Sequence, residues 1–232
     1  VKAVIDAEAD TGNAINLDGD FLVTITPAGT AAATDLSGIN DATSNLITAT
    51  NVTEITGTVA AVKAVTDAEG DTGNKINLDT DFTATVSDNG SAAASDLSSI
   101  SGKTNALITA TSVTTLTGTA SEIATLISDE ADSGNGVNLA ANVAATVTGS
   151  AAAADLTTIN NGTTGLVTAT GVTTITGTAA AVKAVIDAEA DTGNAINLDT
   201  DFLVTITPAG TAAAADLNTI NTETSGLVTA TN

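Results

Sequence analysis

The sequence predicts an α/β repeat solenoid of stacked short parallel β-strands, with one short helix per half-repeat of about 30 residues. Three observations carry that prediction. Residues Val1–Ala33 recur as Val182–Ala214 with one difference, Thr200 standing in place of Gly19. The anchor LITAT starts at Leu46 and Leu107, and LVTAT at Leu166 and Leu227, which are steps of 61, 59 and 61 residues. Segments rich in Val, Ile, Leu and Thr alternate with Ala-rich runs, the order expected when strands and helices take turns along a chain. The full repeat is therefore close to 61 residues, and the array reads as 1–61, 62–122, 123–181 and an incomplete 182–232. The short step has a visible cause, since ITPAGTAAA (Ile206–Ala214) is matched by VTGSAAA (Val147–Ala153), a contraction placed in a loop. A fainter likeness between Val172–Gly193 and Leu203–Gly226 halves the unit: each runs apolar strand, Gly or Pro turn, Ala-rich run, terminal Gly.

The first helix type follows Thr58, Thr119 and Thr178, each preceded by Gly and suited to an N-cap whose hydroxyl accepts from free backbone N–H groups. Thr119 with Glu122 spells a capping box. Val182, Val185 and Ile186 fall on one face, as do Ile123, Leu126, Ile127 and Val62, Val65, Thr66, so these positions are expected in the core. Gly12, Gly73, Gly134 and Gly193 stand where a C′ residue would close that helix. For the second helix type, Thr30, Ser91, Ser150 and Thr211 take the cap slot, and Leu217 with Ile220 and their equivalents give a narrower apolar face.

Between helices, segments such as LVTATNVTEITG and AINLDTDFLVTIT favour the extended state, because β-branched side chains fit a pleated surface. The TN and DTD positions are turn signals, so each segment is expected as two short strands around a corner. Strands stack about 4.8 Å apart while packed helices need about 8 to 10 Å. Helices on alternate sides would relieve that mismatch, and this is the expected reason for a repeat of 61 rather than 30 residues. With 43% hydrophobic residues but only 3 Phe and no Trp, Tyr, Met or Cys, the core must be built from small aliphatic side chains, which suits summed neighbour interfaces better than a globule. The chain opens at Val1 within a helix and stops after LVTATN, which reads as an excised piece with no capping unit at either end.

A net charge of −22, from 27 acidic residues against 5 lysines, leaves no electrostatic footprint for nucleic acid or anionic lipid. No apolar stretch is long enough to cross a bilayer, so membrane insertion is not expected. Without His, Cys, Arg or Tyr the usual imidazole base, thiolate nucleophile and guanidinium clamp are missing. Paired carboxylates remain available at Asp187, Glu189 and Asp191 or at Asp199 and Asp201, but they recur in other repeats, as solvated turn and helix-end acids do. The expectation is a protein that is not an enzyme.

Cation binding is the better-founded candidate. The pairs Asp18/Asp20, Asp79/Asp81 and Asp199/Asp201 flank turn positions where oxygen ligands for Ca²⁺ could collect, and Asp10, Asp71, Asp132 and Asp191 share a second recurring slot. Against this, the third repeat carries Ala140 and Asn142 instead of the acid pair, and neither a calcium-binding nonapeptide nor an EF-hand loop occurs. No cofactor other than Ca²⁺ is a candidate. Asn13, Asn74, Asn135 and Asn194 recur beside these acids as a ladder that satisfies backbone groups at a bend. The pairs Thr48/Thr50, Thr109/Thr111, Thr168/Thr170 and Thr229/Thr231 resemble the outward Thr array of β-solenoid antifreeze proteins, except that the alternate half-repeat reads INLD or VNLA. Sequons at Asn51, Asn89 and Asn161 permit glycosylation.

VTTITGTAAAVKAVIDA (Val172–Ala188), its variants VTEITGTVAAVKAVTDA and VTTLTGTASEIATLISD, and the AADLNTI helix (Ala214–Ile220) together resemble the tandem repeats of very large surface proteins of cyanobacteria and other aquatic bacteria. The resemblance spans the chain and implies an extracellular, adhesin-like context, with surface glycans as candidate partners and no assigned functional residue. The expected function is an extracellular structural repeat that self-associates end to end or laterally into a filament or surface layer. The alternatives are a non-polymerising stalk of a giant adhesin and an ice- or ligand-binding surface.

Overall fold

The computed structural model describes residues 1–8, 15–69, 76–130, 136–189, 195–207 and 211–230. The recurring Gly and Asn slots after the first helix type, and Thr231, lie outside them. Among the described residues are eight helices and parallel strands in three sheets, an α/β architecture as expected, with no closed barrel. The chain divides into two compact units: Val1–Asp88 with Asp96–Ser112 and Ser133–Asn138, and Asn89–Ser95 with Val113–Asp132 and Leu139–Asn232.

In the first unit, α1 (Lys2–Glu8), α2 (Ala33–Ala42), α3 (Val59–Glu69) and most of α4 (Ala94–Ser101) accompany two sheets. One sheet runs β1 (Val23–Thr24), β3 (Ile47–Ala49), β5 (Ile76–Leu78). The other runs β2 (Gly29–Ala32), β4 (Val52–Gly57), β6 (Thr83–Val86), β8 (Ile108–Ala110), β10 (Val137–Leu139). In the second unit the order is β7 (Ser91–Ala93), β9 (Thr115–Gly118), β11 (Ala144–Ala152), β12 (Val167–Gly177), β14 (Leu203–Ile206), β15 (Val228–Thr229), with β13 (Ile196–Leu198) also on β12. Its helices are α5 (Ala120–Glu130), α6 (Ala153–Gly162), α7 (Ala179–Glu189) and α8 (Ala214–Glu223).

The first helix type starts where its capping residues place it. Ala61 N–H donates to Thr58 Oγ1 at 3.2 Å, Glu122 N–H to Thr119 Oγ1 at 3.3 Å, and Ala181 N–H to Thr178 Oγ1 at 3.1 Å. The capping box closes reciprocally, with Thr119 N–H donating to Glu122 Oε2 at 2.8 Å. The expected faces are buried: Val62, Val65 and Thr66 in α3, Ile123, Leu126 and Ile127 in α5, Val182, Val185 and Ile186 in α7. Thr66 hides its hydroxyl by donating to the Lys63 carbonyl at 3.0 Å.

The second helix type corrects the expectation. Thr30, Ser91 and Ser150 lie in strands, Thr211 sits two residues before the cap position, and the N-caps of α2, α6 and α8 are Ala32, Ala152 and Ala213, with no side-chain cap bond. The cause is cross-strand pairing. Thr30–Ala32 pairs with Glu54–Thr56, and Ser91–Ala93 with Thr115–Thr117, so these backbones join a ladder before the helix can begin. Behind them Ala33, Leu36 and Ile39, and equally Ala153, Leu156 and Ile159, are buried.

The strand segments mostly divide in two around a turn, as β3 and β4 do. Two exceptions are β11 and β12, continuous over nine and eleven residues. The contraction at Val147–Ala153 removes the connection seen at Ile25–Ala28, and β11 runs straight through. Consecutive helices pack together, α1 on α2 and α2 on α3 in the first unit, α5 through α8 in order in the second. That overturns alternate sides. Within each unit strand order rises with chain order, and crossovers between parallel strands share one hand, so α1 to α3 in the first unit, and α5 to α8 in the second, are delivered to one face.

Equivalent strands of successive repeats do not stack on each other. Val23 pairs with Ile47 and Ile47 with Ile76, whereas the equivalent of Val23 is Ala84, which pairs with Ile55. In the second unit Ala145 leads through Val167 to Ile196, while its equivalent, Val204, pairs with Ile175. One half-repeat supplies three extended segments and the other two. The two pair with the last two of the preceding layer and the first two of the following one, so register slips by one segment per repeat.

Candidate functional site

Two recurring places merit chemical scrutiny, the acid-bearing turns and the outward face of the strands. The turn acids Asp18, Asp20, Asp79, Asp81, Asp199 and Asp201 are all exposed. Asp199 Oδ1 accepts from Thr200 N–H at 2.7 Å, and Asp81 Oδ1 accepts from Thr80 Oγ1 at 3.4 Å, so these carboxylates cap their own turns. Asp10, Asp71, Asp132 and Asp191 lie outside the described residues. Among the described residues no group of three or more His, Cys, Asp or Glu is gathered to hold a metal ion.

The carbonyls of these turns, the other natural oxygen ligands, are engaged by a buried threonine that sequence reasoning missed. Thr43 Oγ1 donates to Phe21 O at 2.6 Å, Thr104 Oγ1 to Phe82 O at 2.6 Å, Thr163 Oγ1 to Val143 O at 2.5 Å and Thr224 Oγ1 to Phe202 O at 2.6 Å. Each hydroxyl then accepts from the backbone N–H two residues on, from Asn45, Ala106, Gly165 and Gly226. A further backbone bond secures the turn in each repeat, from Ser44, Asn105, Thr164 and Ser225 N–H to Gly19, Thr80, Ala141 and Thr200 O at 2.8 to 2.9 Å. Phe82 and Phe202, also unforeseen, are the largest fully buried side chains beneath these clasps. The signal was the recurrence of Thr three residues before each anchor Leu.

The outward face is set by alternation. In β3, Ile47 and Ala49 are buried and Thr48 is half-exposed; in β6, Ala84 and Val86 are buried while Thr83 is exposed and Thr85 half-exposed. Register slip then aligns threonines that the sequence keeps in different half-repeats. Thr56, Thr85 and Thr109 form one outward ladder, Thr117, Thr146 and Thr168 a second, and Thr176, Thr205 and Thr229 a third. Thr24 and Thr48 begin another that continues to Asn77. The INL and VNL segments that interrupt the pattern in sequence lie at the end of three of these ladders, on β3, β8 and β12, instead of between the rungs. Thr50, Thr111 and Thr170 are exposed beside them.

Charge is nearly absent here. Among the described strands the one charged residue is Glu54, whose carboxylate accepts from Thr30 Oγ1 and Thr85 Oγ1, both at 2.8 Å. Thr117 and Thr176 hydroxyls donate to Ala92 and Ala151 carbonyls at 3.3 and 3.4 Å. Three lysines sit instead on helices, where Lys63 and Lys183 pair with Asp67 and Asp187 at 2.6 and 2.5 Å and Lys2 pairs with Asp6. The bonds to Asp67 and Asp187 hold both ammonium groups above the ordinary lysine pKa, with Asp96 and Asp216 adding smaller effects. Burial raises the Glu69 carboxyl, against the pull of Lys103.

Comparison with known protein families, curated proteins and solved structures yields no match. Among the described residues no helix is long and apolar enough to cross a membrane.

Proposed function

We propose that the chain belongs to an extracellular structural repeat protein, an α/β solenoid that self-assembles into a filament or surface layer. The observation that supports it best is strand order. Within each sheet the order rises with the chain and every pairing is parallel, so each half-repeat adds its layer to the last, as the coils of a solenoid do. Helices of two recurrent types pack in succession within each unit, and the stability of such an array is a sum over neighbours. The threonine clasp recurs in all four repeats and the turn acids in three of them, as features of a structural surface do and a single catalytic centre does not. Localisation at the cell surface, the adhesin-like context and glycan partners enter through the resemblance of the repeats.

The test combines solution scattering with electron microscopy of the purified chain, in calcium and then in chelator. Scattering from an elongated particle together with ordered filaments or sheets is the expected result. Loss of those assemblies on chelation would turn the exposed Asp pairs into bridging sites. Dispersed rods under both conditions would favour a stalk, and compact particles would sink the solenoid itself.

A further inference from the structure

We propose that Asn89 is a self-modification site, at which the chain converts its own asparagine into aspartate and isoaspartate through attack by the Gly90 backbone nitrogen. The reaction is separate from self-assembly and does not depend on it.

Three Asn-Gly pairs occur in the sequence, at Asn89, Asn135 and Asn161. A glycine after asparagine is the sterically open case, because no Cβ hinders the approach of its nitrogen to the side-chain carbon. Asn135 lies outside the described residues. Asn89 and Asn161 are both exposed, so access to water does not separate them. The backbone does.

Asn161 and Gly162 are the last two residues of α6. In an α-helix each N–H points along the axis toward the carbonyl four residues back, away from the side chain that precedes it. Gly162 is also wedged against α5, since a Cβ there would lie 2.1 Å from Ile127 Cγ2, and its peptide has little room to turn. Asn89 and Gly90 lie between β6 and β7, outside any helix or strand. Among the described residues nothing accepts the Gly90 N–H, and a Cβ built on Gly90 would meet nothing within 4 Å. That nitrogen can swing onto the Asn89 side chain. The site belongs to this repeat alone, because the first and fourth read Pro-Ala-Gly where the second reads Asp-Asn-Gly and the third is contracted.

The step balances with water as its co-reactant. Hydroxide removes the Gly90 N–H proton, and the nitrogen bonds to Asn89 Cγ. The Cγ–Nδ2 bond then breaks, the departing nitrogen takes a proton from water and leaves as ammonia, and a five-membered succinimide remains. Water adds at either ring carbonyl and opens the ring, to aspartate or to isoaspartate, whose main chain runs through the former side-chain carbon. Both products add a negative charge. Isoaspartate also lengthens the main chain between two anchored residues: Asp88, whose Oδ2 accepts from Val59 N–H at 2.6 Å, and Gly90, whose carbonyl accepts from Thr114 and Thr115 N–H at 2.9 and 3.2 Å.

Storage of the folded chain in mildly alkaline buffer, followed by tryptic peptide mapping with mass spectrometry, tests this. Cleavage after Lys75 and Lys103 releases Asn89 on a peptide whose one other asparagine is Asn77. The expected result is a gain of about one dalton at Asn89, with isoaspartate identified by an isoaspartyl methyltransferase. Its rate should be at least about tenfold that at Asn161, whose reaction waits for the helix end to open. In urea the two should react at similar rates. Gly90→Ala, which the open space accommodates, should slow the reaction at least about tenfold with an unchanged circular dichroism spectrum. A folded chain in which Asn161 reacts as fast as Asn89, or in which Asn89 reacts no faster than Asn77, overturns the proposal. So does a folded Gly90→Ala variant that reacts at the natural rate, and so does a difference between Asn89 and Asn161 that persists in urea.

Discussion

The turn before β6 and the turn before β11 differ where chemistry was expected and agree where it was not. The first carries Asp79 and Asp81, the second Ala140 and Asn142, yet Thr104 and Thr163 clasp them through equivalent bonds. The acids are therefore not what shapes the turn. A cation could at most be a guest of a turn already closed by a threonine, a conclusion that neither turn alone would permit.

Four substitutions break or sharpen that comparison. Phe82→Ala should cost about 3 to 5 kcal/mol, because its ring is fully buried, against about 2 kcal/mol for Val143→Ala at the equivalent place. Urea denaturation of each variant measures the gap, and equal losses would mean the cavities collapse differently from their volumes. Thr104→Val and Thr163→Val should each cost roughly 1 to 3 kcal/mol by depriving the Phe82 or Val143 carbonyl of its hydroxyl donor and the Ala106 or Gly165 N–H of its acceptor. A loss confined to Thr104 would show that the acid-bearing turn alone depends on the clasp.

Glu122 supplies the contrast, an acid with a defined structural bond. The Thr119 backbone N–H, then its hydroxyl, hold the Glu122 carboxyl below its ordinary pKa. A carboxylate lowered in the folded state stabilises fully above its unfolded pKa and loses that contribution as pH falls through the folded one. The melting-temperature advantage over Glu122→Gln should therefore be complete at neutral pH and vanish in acid below the usual carboxylate range. Thr119→Ala should cost about 1 kcal/mol as a lost N-cap. Smallest of all, Asp79→Asn/Asp81→Asn should change stability by no more than about 0.5 kcal/mol. Its melting temperature should respond to calcium as the natural chain's does, and a calcium shift lost in that variant would restore the turn as a specific site.

The first helix type was legible because its cap, its i, i+3, i+4 face and its length all lie within one short window. The second was read two residues early, since Thr30 and Ser91 look like caps unless the strands at Glu54 and Thr115 are known to claim them. Thr43, Thr104, Thr163 and Thr224 were visible as a recurrence but not as clasps, their acceptors lying 20 or 22 residues back. Helix sidedness failed for a different reason: spacing arguments weigh distances, while the hand of the crossover decides the face. The threonine ladders were hidden by the assumption that like stacks on like.

Register slip has a consequence for how such a gene can change length. The column of Ala31, Ile55, Ala84 and Ile108 draws its residues from two successive repeats, and β10 extends the same sheet into a third. Unequal recombination that adds or removes a whole repeat rebuilds every such junction from the same pair types. Loss of a half-repeat would set three segments against three, with no offset to absorb them. Whole repeats are thus the unit in which copy number can drift without a new interface having to evolve.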